Sequence, residues 1–104
     1  MKGWIRNNMQ DKAPDLIMEI FSPDCSAEKM CEKFEIYEKA GIKEYWTIMP
    51  RSKRICVWQL VDGSFTKHTY YHLKPHKHCK SNSKIAKSAL LAGLEIPLET
   101  IFAE

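Results

Sequence analysis

The chain has 104 residues, of which 44% are hydrophobic and 28% charged, so it fits one domain and leaves no room for two. This composition excludes low-complexity and disordered classes. No apolar run reaches the roughly 18 residues of a membrane span, and no secretory apolar region follows the first basic residue. We therefore expect a cytoplasmic protein, no membrane partner, and four reduced cysteines.

Positive charge is concentrated in one stretch. The formal net charge is +3, and residues 64–94 contain six lysines and no acidic residue: Lys67, Lys74, Lys77, Lys80, Lys84 and Lys87. A one-sided basic segment is typical of a surface that binds a polyanion such as DNA. It is equally compatible with a solvated loop that keeps a small protein soluble.

The first half of the chain predicts a strand followed by a helix. Residues 15–21 form a short apolar run between Pro14 and Ser22-Pro23, which favours a buried strand. Ser26 is a suitable N-cap for the helix, and Gly41 suits the left-handed position after its end. The apolar positions of this helix are spaced by three and four residues, as on one helical face: Ala27, Met30, Cys31, Phe34 and Tyr37.

The second half predicts three further strands and a tail. Residues 44–49, 54–60 and 64–71 read as strands, and Asp62-Gly63 is a hairpin signal between the last two. Residues 72–84 have no regular pattern, and residues 88–102 form an apolar tail with a helical turn at Pro97. A strand, a helix and a strand predict a parallel crossover. We therefore predict an α/β fold with a mixed sheet and a helix on one face.

Glu19 is out of place in the first strand. Side chains alternate along a strand, so Glu19 shares a face with Ile17 and Phe21. A carboxylate between two large apolar neighbours is costly to bury without a partner. Two interpretations remain open: Glu19 lies near the sheet edge or pairs with one lysine, or it binds a metal ion at a cleft.

Lys33 is the second candidate site residue. It lies beside the apolar stripe of the helix, about 80° from its centre at 100° per residue. A lysine there can pack its stem along the sheet and keep its ammonium in solvent. A carboxylate, Mg²⁺ and a lysine are the parts needed to cleave a phosphodiester.

The sequence resembles a known family over residues 13–104. Its matching positions are Pro14-Asp15-Leu16, Glu19, Ser22-Pro23, Lys33, Tyr37, Gly41, Glu44-Tyr45-Trp46, Gly93-Leu94 and Phe102. In this pattern a strand with Pro-Asp and Glu precedes a helix with Lys, Tyr and Gly at spacings of four, and then Glu-Tyr-Trp. The pattern resembles the Uma-two (Uma2) family, bacterial endonucleases of the PD-(D/E)xK superfamily.

The resemblance implies a fold and a set of roles. It implies a single restriction-endonuclease-like domain over residues 1–104, with residues 1–12 irregular, and a hydrolase that cuts DNA with Mg²⁺ or Mn²⁺. It makes Glu19 the metal-binding acid and Lys33 the catalytic lysine. Asp15 matches a family position, but four strand residues, about 13 Å, separate it from Glu19. We therefore interpret Asp15 as a strand-start or supporting residue.

The sequence also departs from the family pattern. Family members carry an earlier Pro-Asp whose aspartate is the first metal ligand, whereas this sequence begins after that point. The helix has Lys29 where the family has an aspartate. We therefore expect an N-terminally shortened relative without a complete active site. The alternatives are a nucleic-acid-binding module that does not cut, and an interaction module or homodimer that pairs through an exposed sheet edge.

Overall fold

The computed structural model describes residues 14–73 and 84–102. These residues form six strands and two helices, in chain order β1 Leu16–Ile20, α1 Ala27–Ala40, β2 Glu44–Met49, β3 Arg54–Val61, β4 Ser64–His72, β5 Ile85–Lys87, β6 Glu95–Pro97 and α2 Leu98–Ile101. The predicted α/β class with a mixed sheet is confirmed. The interpretation of residues 1–12 as irregular lies outside the described residues.

The main sheet has the strand order β1-β2-β3-β4. β1 pairs with β2 in parallel, and Glu19 lies opposite Thr47 in this register. β2, β3 and β4 then form an antiparallel meander, with a register shift between Gln59 and Leu60. The parallel crossover and the meander both agree with the sequence prediction. Among the described residues no strand pairs with the other edge of β1.

Both predicted caps of α1 are present. The Ser26 side chain accepts a hydrogen bond from the backbone N–H of Lys29 at 3.1 Å. Gly41 ends the helix with φ of +80°, a left-handed conformation that glycine adopts without a Cβ clash. These caps fix which residues of α1 face the sheet, and therefore where Lys33 lies.

The sheet carries a hydrophobic core on each face. On the α1 face, Ile17, Tyr37, Ile42, Tyr45 and Phe65 form one buried cluster. On the other face, a larger cluster joins β2, β3 and β4 to the C-terminal segment, with Trp46, Ile48, Ile55, Val57, Tyr71, Ala86, Leu98 and Phe102. The molecule thus has three layers: α1, the main sheet, and the C-terminal β5–β6 and α2.

The C-terminal segment is more regular than the sequence predicted. Instead of an apolar tail with one helical turn, the segment contains β5 and β6, which form a separate two-stranded antiparallel sheet, followed by α2. Each of these strands has only three residues, too few for an alternating pattern to be read. The predicted helical turn at Pro97 is present as α2, for which Pro97 is the N-cap residue. In the described part of the chain, no helix has the length and apolar character needed to cross a bilayer.

Candidate active site

Glu19 and Lys33 meet on the α1 face of the sheet. The Lys33 Nζ lies 3.1 Å from Glu19 Oε2. The same carboxylate oxygen accepts a hydrogen bond of 2.7 Å from the hydroxyl of Tyr37. The structure therefore brings together the two residues that the sequence singled out, and adds a third, Tyr37.

The local folds of β1 and α1 explain this meeting. Glu19 shares its strand face with Ile17, which packs under α1. Lys33 and Tyr37 are four residues apart on α1, so their side chains lie on neighbouring turns of one helix face. The two donors can therefore approach one carboxylate from the same side.

The three side chains differ in their access to solvent. Glu19 is only 4% exposed, whereas the Lys33 side chain is 31% exposed, and Tyr37 is buried. Glu19 is thus a buried acid whose charge is matched by a lysine that still reaches water. The sequence left open whether Glu19 pairs with a lysine or binds a metal ion. The structure shows a pair with a lysine, and this lysine is Lys33, the candidate catalytic residue.

Burial and the negative charge of Glu19 raise the pKa values of two tyrosines, Tyr37 and Tyr45. Burial raises the pKa of Tyr37 well above its usual value, and the hydrogen bond and negative charge of Glu19 raise it further. Burial raises the pKa of Tyr45 in the same direction, again with a contribution from Glu19. Both phenols therefore stay protonated at neutral pH, and Tyr37 acts as a hydrogen-bond donor.

Asp15 lies apart from this cluster. Its side chain is exposed, and its Oδ1 is 3.7 Å from Lys43 Nζ. Its backbone carbonyl accepts from the N–H groups of Lys43 and Glu44, where β1 begins to pair with β2. These contacts match the role of a strand-start residue.

The described lysines of the basic stretch do not lie beside Glu19. Lys67 lies on β4 with its side chain on the same face as Tyr71, away from α1. Lys84 immediately precedes β5 and Lys87 is its last residue; both are exposed and belong to the layer that covers this opposite face. Lys74, Lys77 and Lys80 lie outside the described residues. The described lysines of this stretch are therefore separated from Glu19 by the sheet.

The described residues do not form a complete metal site. Among them, no group of three or more His, Cys, Asp or Glu side chains is placed to hold a metal ion. Glu19 contributes a carboxylate, the ligand type that Mg²⁺ prefers. A single carboxylate that is already paired with a lysine fits a metal only with further anionic ligands.

A cavity of about 360 Å³ lies on the same face of the sheet as Glu19. Phe21, two residues further on the same strand face, and Thr47, the register partner of Glu19, both line it. Sequence reasoning missed this cavity and the contact of Tyr37 with Glu19. The spacing of Lys33 and Tyr37 was the available signal for the contact, whereas a cavity between α1 and the sheet leaves no pattern in the sequence.

Comparison with known protein families identifies the family of this chain. The family model of Uma2, described as "Putative restriction endonuclease", matches residues 2–99. The chain belongs to the Uma2 family. This match confirms the resemblance seen in the sequence, and residues 14–73 and 84–99 of the described structure lie within the matched range.

A solved structure shares the fold of this Uma2 family member. It is the crystal structure of a putative nuclease belonging to DUF820 from Anabaena variabilis ATCC 29413, with a TM-score of 0.63 and 21% sequence identity. The match covers 88% of this chain and 45% of that protein, so the chain spans about half of its length. At this identity the likeness concerns the fold, which confirms a nuclease-like α/β architecture. Comparison with curated proteins gives no match.

Proposed function

We propose that this protein is a metal-dependent DNA endonuclease in which Glu19 and Lys33 belong to the active site. The observation that carries the proposal is the 3.1 Å contact between them, made from two different elements beside an open cavity. Membership of a family described as restriction endonucleases supports phosphodiester hydrolysis as the reaction and DNA as the substrate. We also place the activity in the cytoplasm.

The side chains have distinct tasks in this proposal. Lys33 is exposed enough to turn its ammonium from Glu19 to a phosphate oxygen, where it stabilises the charge that develops during cleavage. Tyr37 keeps the Glu19 carboxylate oriented through its 2.7 Å hydrogen bond while Lys33 moves. When bound, Mg²⁺ or Mn²⁺ supplies Lewis acidity and an activated water.

Glu19 alone does not provide enough ligands to hold the metal ion. Mg²⁺ in phosphoryl-transfer sites is held by one or two carboxylates together with substrate phosphates. We therefore propose that the DNA phosphate provides one ligand, and that a second protein carboxylate comes from outside the described residues or from a partner chain. Without that second carboxylate, the chain would bind DNA and cut it slowly or not at all.

The test is nicking of supercoiled plasmid in Mg²⁺ or Mn²⁺ by wild type, Glu19→Gln and Lys33→Met. We expect each variant to lose at least about 100-fold in rate, as is typical for removal of one electrostatic catalytic group. Lys43→Ala is the matched control, because Lys43 is an exposed lysine that pairs with Asp15 instead. Equal nicking by all four proteins would remove Glu19 and Lys33 from the active site.

A second function is favoured by one observation. Most of the described chain forms a nuclease-like fold, yet within residues 14–73 and 84–102 Glu19 is the only buried acid at the site, which suits a module that binds nucleic acid without cutting it. Such a module would bind DNA with an affinity that falls steeply as salt rises, and no metal would produce cleavage. The same assays distinguish the two functions.

A further inference from the structure

The cavity beside Glu19 lies between α1 and strands β2, β3 and β4. It reaches the surface, because Cys31 on α1 and Tyr70 on β4 are exposed residues of its lining. Its volume of about 360 Å³ lies within the range of small-ligand pockets, roughly 300–1,000 Å³. Phe21 and Thr47 line the cavity and neighbour Glu19 on the sheet, whereas Glu19 and Lys33 are not part of the lining. A strand that leaves the cavity along this face would approach the candidate catalytic pair.

Aromatic side chains form a large part of the cavity lining. Phe34, Trp58 and Tyr70 all contribute to the lining. Phe34 and Trp58 meet edge to face, with ring centroids 4.9 Å apart. Aromatic surfaces of this kind stack with the faces of unpaired nucleobases without regard to sequence. Arg54, which is partly exposed at the same cavity, adds a cation that suits a phosphate or a base carbonyl.

We propose that this cavity binds an unpaired base of single-stranded DNA and so positions the adjacent phosphate at Lys33. The inference rests on the proposed nuclease function and names its substrate as single-stranded or locally unpaired DNA. The aromatic side chains hold the faces of the base, and Arg54 donates to a carbonyl on its edge. A base that is paired and stacked in a duplex cannot enter, because it must first leave the stack.

The test is a binding measurement in EDTA, in which cleavage cannot occur. Fluorescence anisotropy would compare a labelled oligothymidylate of about ten nucleotides with an abasic strand of equal length and charge, and with a hairpin duplex. We expect the oligothymidylate to bind at least about tenfold more tightly than either, as base stacking contributes on the order of 1–3 kcal/mol. Equal affinity for the thymidine and abasic strands would overturn the proposal.

Two variants locate the base. Arg54→Met removes the cation of the cavity lining, so we expect weaker oligothymidylate binding, with abasic binding unchanged. Cys31→Trp fills the mouth of the cavity and should reduce oligothymidylate binding to the abasic level. The matched controls are Arg51→Met, an exposed arginine in the turn before β3, and Glu35→Trp, an exposed position of α1; both positions lie outside the cavity lining. Both controls should bind like wild type.

The outcomes separate this inference from the proposed function. If Glu19→Gln loses plasmid nicking but thymidine and abasic strands bind equally, the nuclease function is supported and base binding in the cavity is excluded. If oligothymidylate binding depends on the cavity but no metal produces nicking, base binding in the cavity is supported and the nuclease function is excluded. Oligothymidylate binding that Cys31→Trp does not weaken would place the bases elsewhere and overturn the inference.

Discussion

Glu19 and Lys33 form a pair whose members are unequally exposed, and this inequality predicts unequal effects of mutation. In Lys33→Met the buried carboxylate loses a hydrogen-bond donor, at a cost of about 1–3 kcal/mol. In Glu19→Gln the lysine can extend into water, so the loss should be smaller. Urea unfolding of both variants measures the difference.

The double variant, Glu19→Gln with Lys33→Met, controls for general damage to the site. Because neither charge remains, we expect it to be more stable than Lys33→Met alone, with a coupling energy of about 0.5–3 kcal/mol. Additive losses in this cycle would mean that the two charges do not interact in solution.

The raised pKa of Tyr37 predicts that the stability of the folded protein depends on pH in the alkaline range. Its pKa in the folded protein is raised above the unfolded value of 10.0, first by burial and then by Glu19. A raised folded pKa favours the protonated folded state, so this contribution is complete below pH 10 and is lost as pH rises above it. We expect the free energy of unfolding to fall less between pH 9 and pH 11 in Tyr37→Phe than in wild type.

Tyr45→Phe should remove a further part of this alkaline loss, because the pKa of Tyr45 is raised in the same direction. The comparison uses the difference between each variant and wild type, which cancels the deprotonation of the lysines. Parallel curves for wild type and Tyr37→Phe would contradict the assignment of Tyr37 as a buried donor to Glu19.

At the level of the elements, Glu44 connects the C-terminal layer to the main sheet. Its carboxylate is 1% exposed and accepts four hydrogen bonds, from the Trp46 indole, the Ser88 hydroxyl and the backbone N–H groups of Ala89 and Leu90. Glu44→Gln replaces an acceptor by a donor, and should cost about 3 kcal/mol because buried N–H groups lose their partner. Hydrogen exchange should accelerate in β5 and β6 more than in β2 and β3.

The exposed Glu95 of β6 provides the control, since Glu95→Gln changes the charge of the same layer without touching these bonds. Its exchange pattern should match wild type. Equal acceleration in every strand of Glu44→Gln would indicate general unfolding rather than release of the C-terminal layer.

Elements with a strong periodic or capping signal were predictable, and those defined by distant contacts were not. Ser26 and Gly41 bounded α1 correctly because caps act within one turn, and Asp62-Gly63 located the hairpin for the same reason. β5 and β6 are three residues each and owe their place to Glu44, more than 40 residues away. At the site, Glu19 was visible as an anomaly, whereas its contact with Tyr37 depends on how α1 packs.

At the scale of the whole molecule, the outer edge of β1 remains unpaired among the described residues. The Phe21 N–H donates to Ile48, and the Asp15 carbonyl accepts from Glu44, so the odd-numbered residues of β1 pair with β2. Alternate residues direct their backbone groups to opposite edges, which leaves those of Leu16, Met18 and Ile20 at the outer edge. Such an edge is a template for another strand.

This edge predicts that two copies pair through β1, with the Ile20 side chain, 68% exposed, at the contact. Ile20→Pro removes one outward N–H and leaves the β1–β2 hydrogen bonds intact, because Ile20 does not donate to β2. We therefore expect sedimentation to show a dimer at high concentration for wild type and for Ile20→Thr, and a monomer for Ile20→Pro. A wild-type protein that stays monomeric at all concentrations would exclude both edge pairing and a metal site shared between two copies, and a carboxylate to complete the site would then have to come from the same chain.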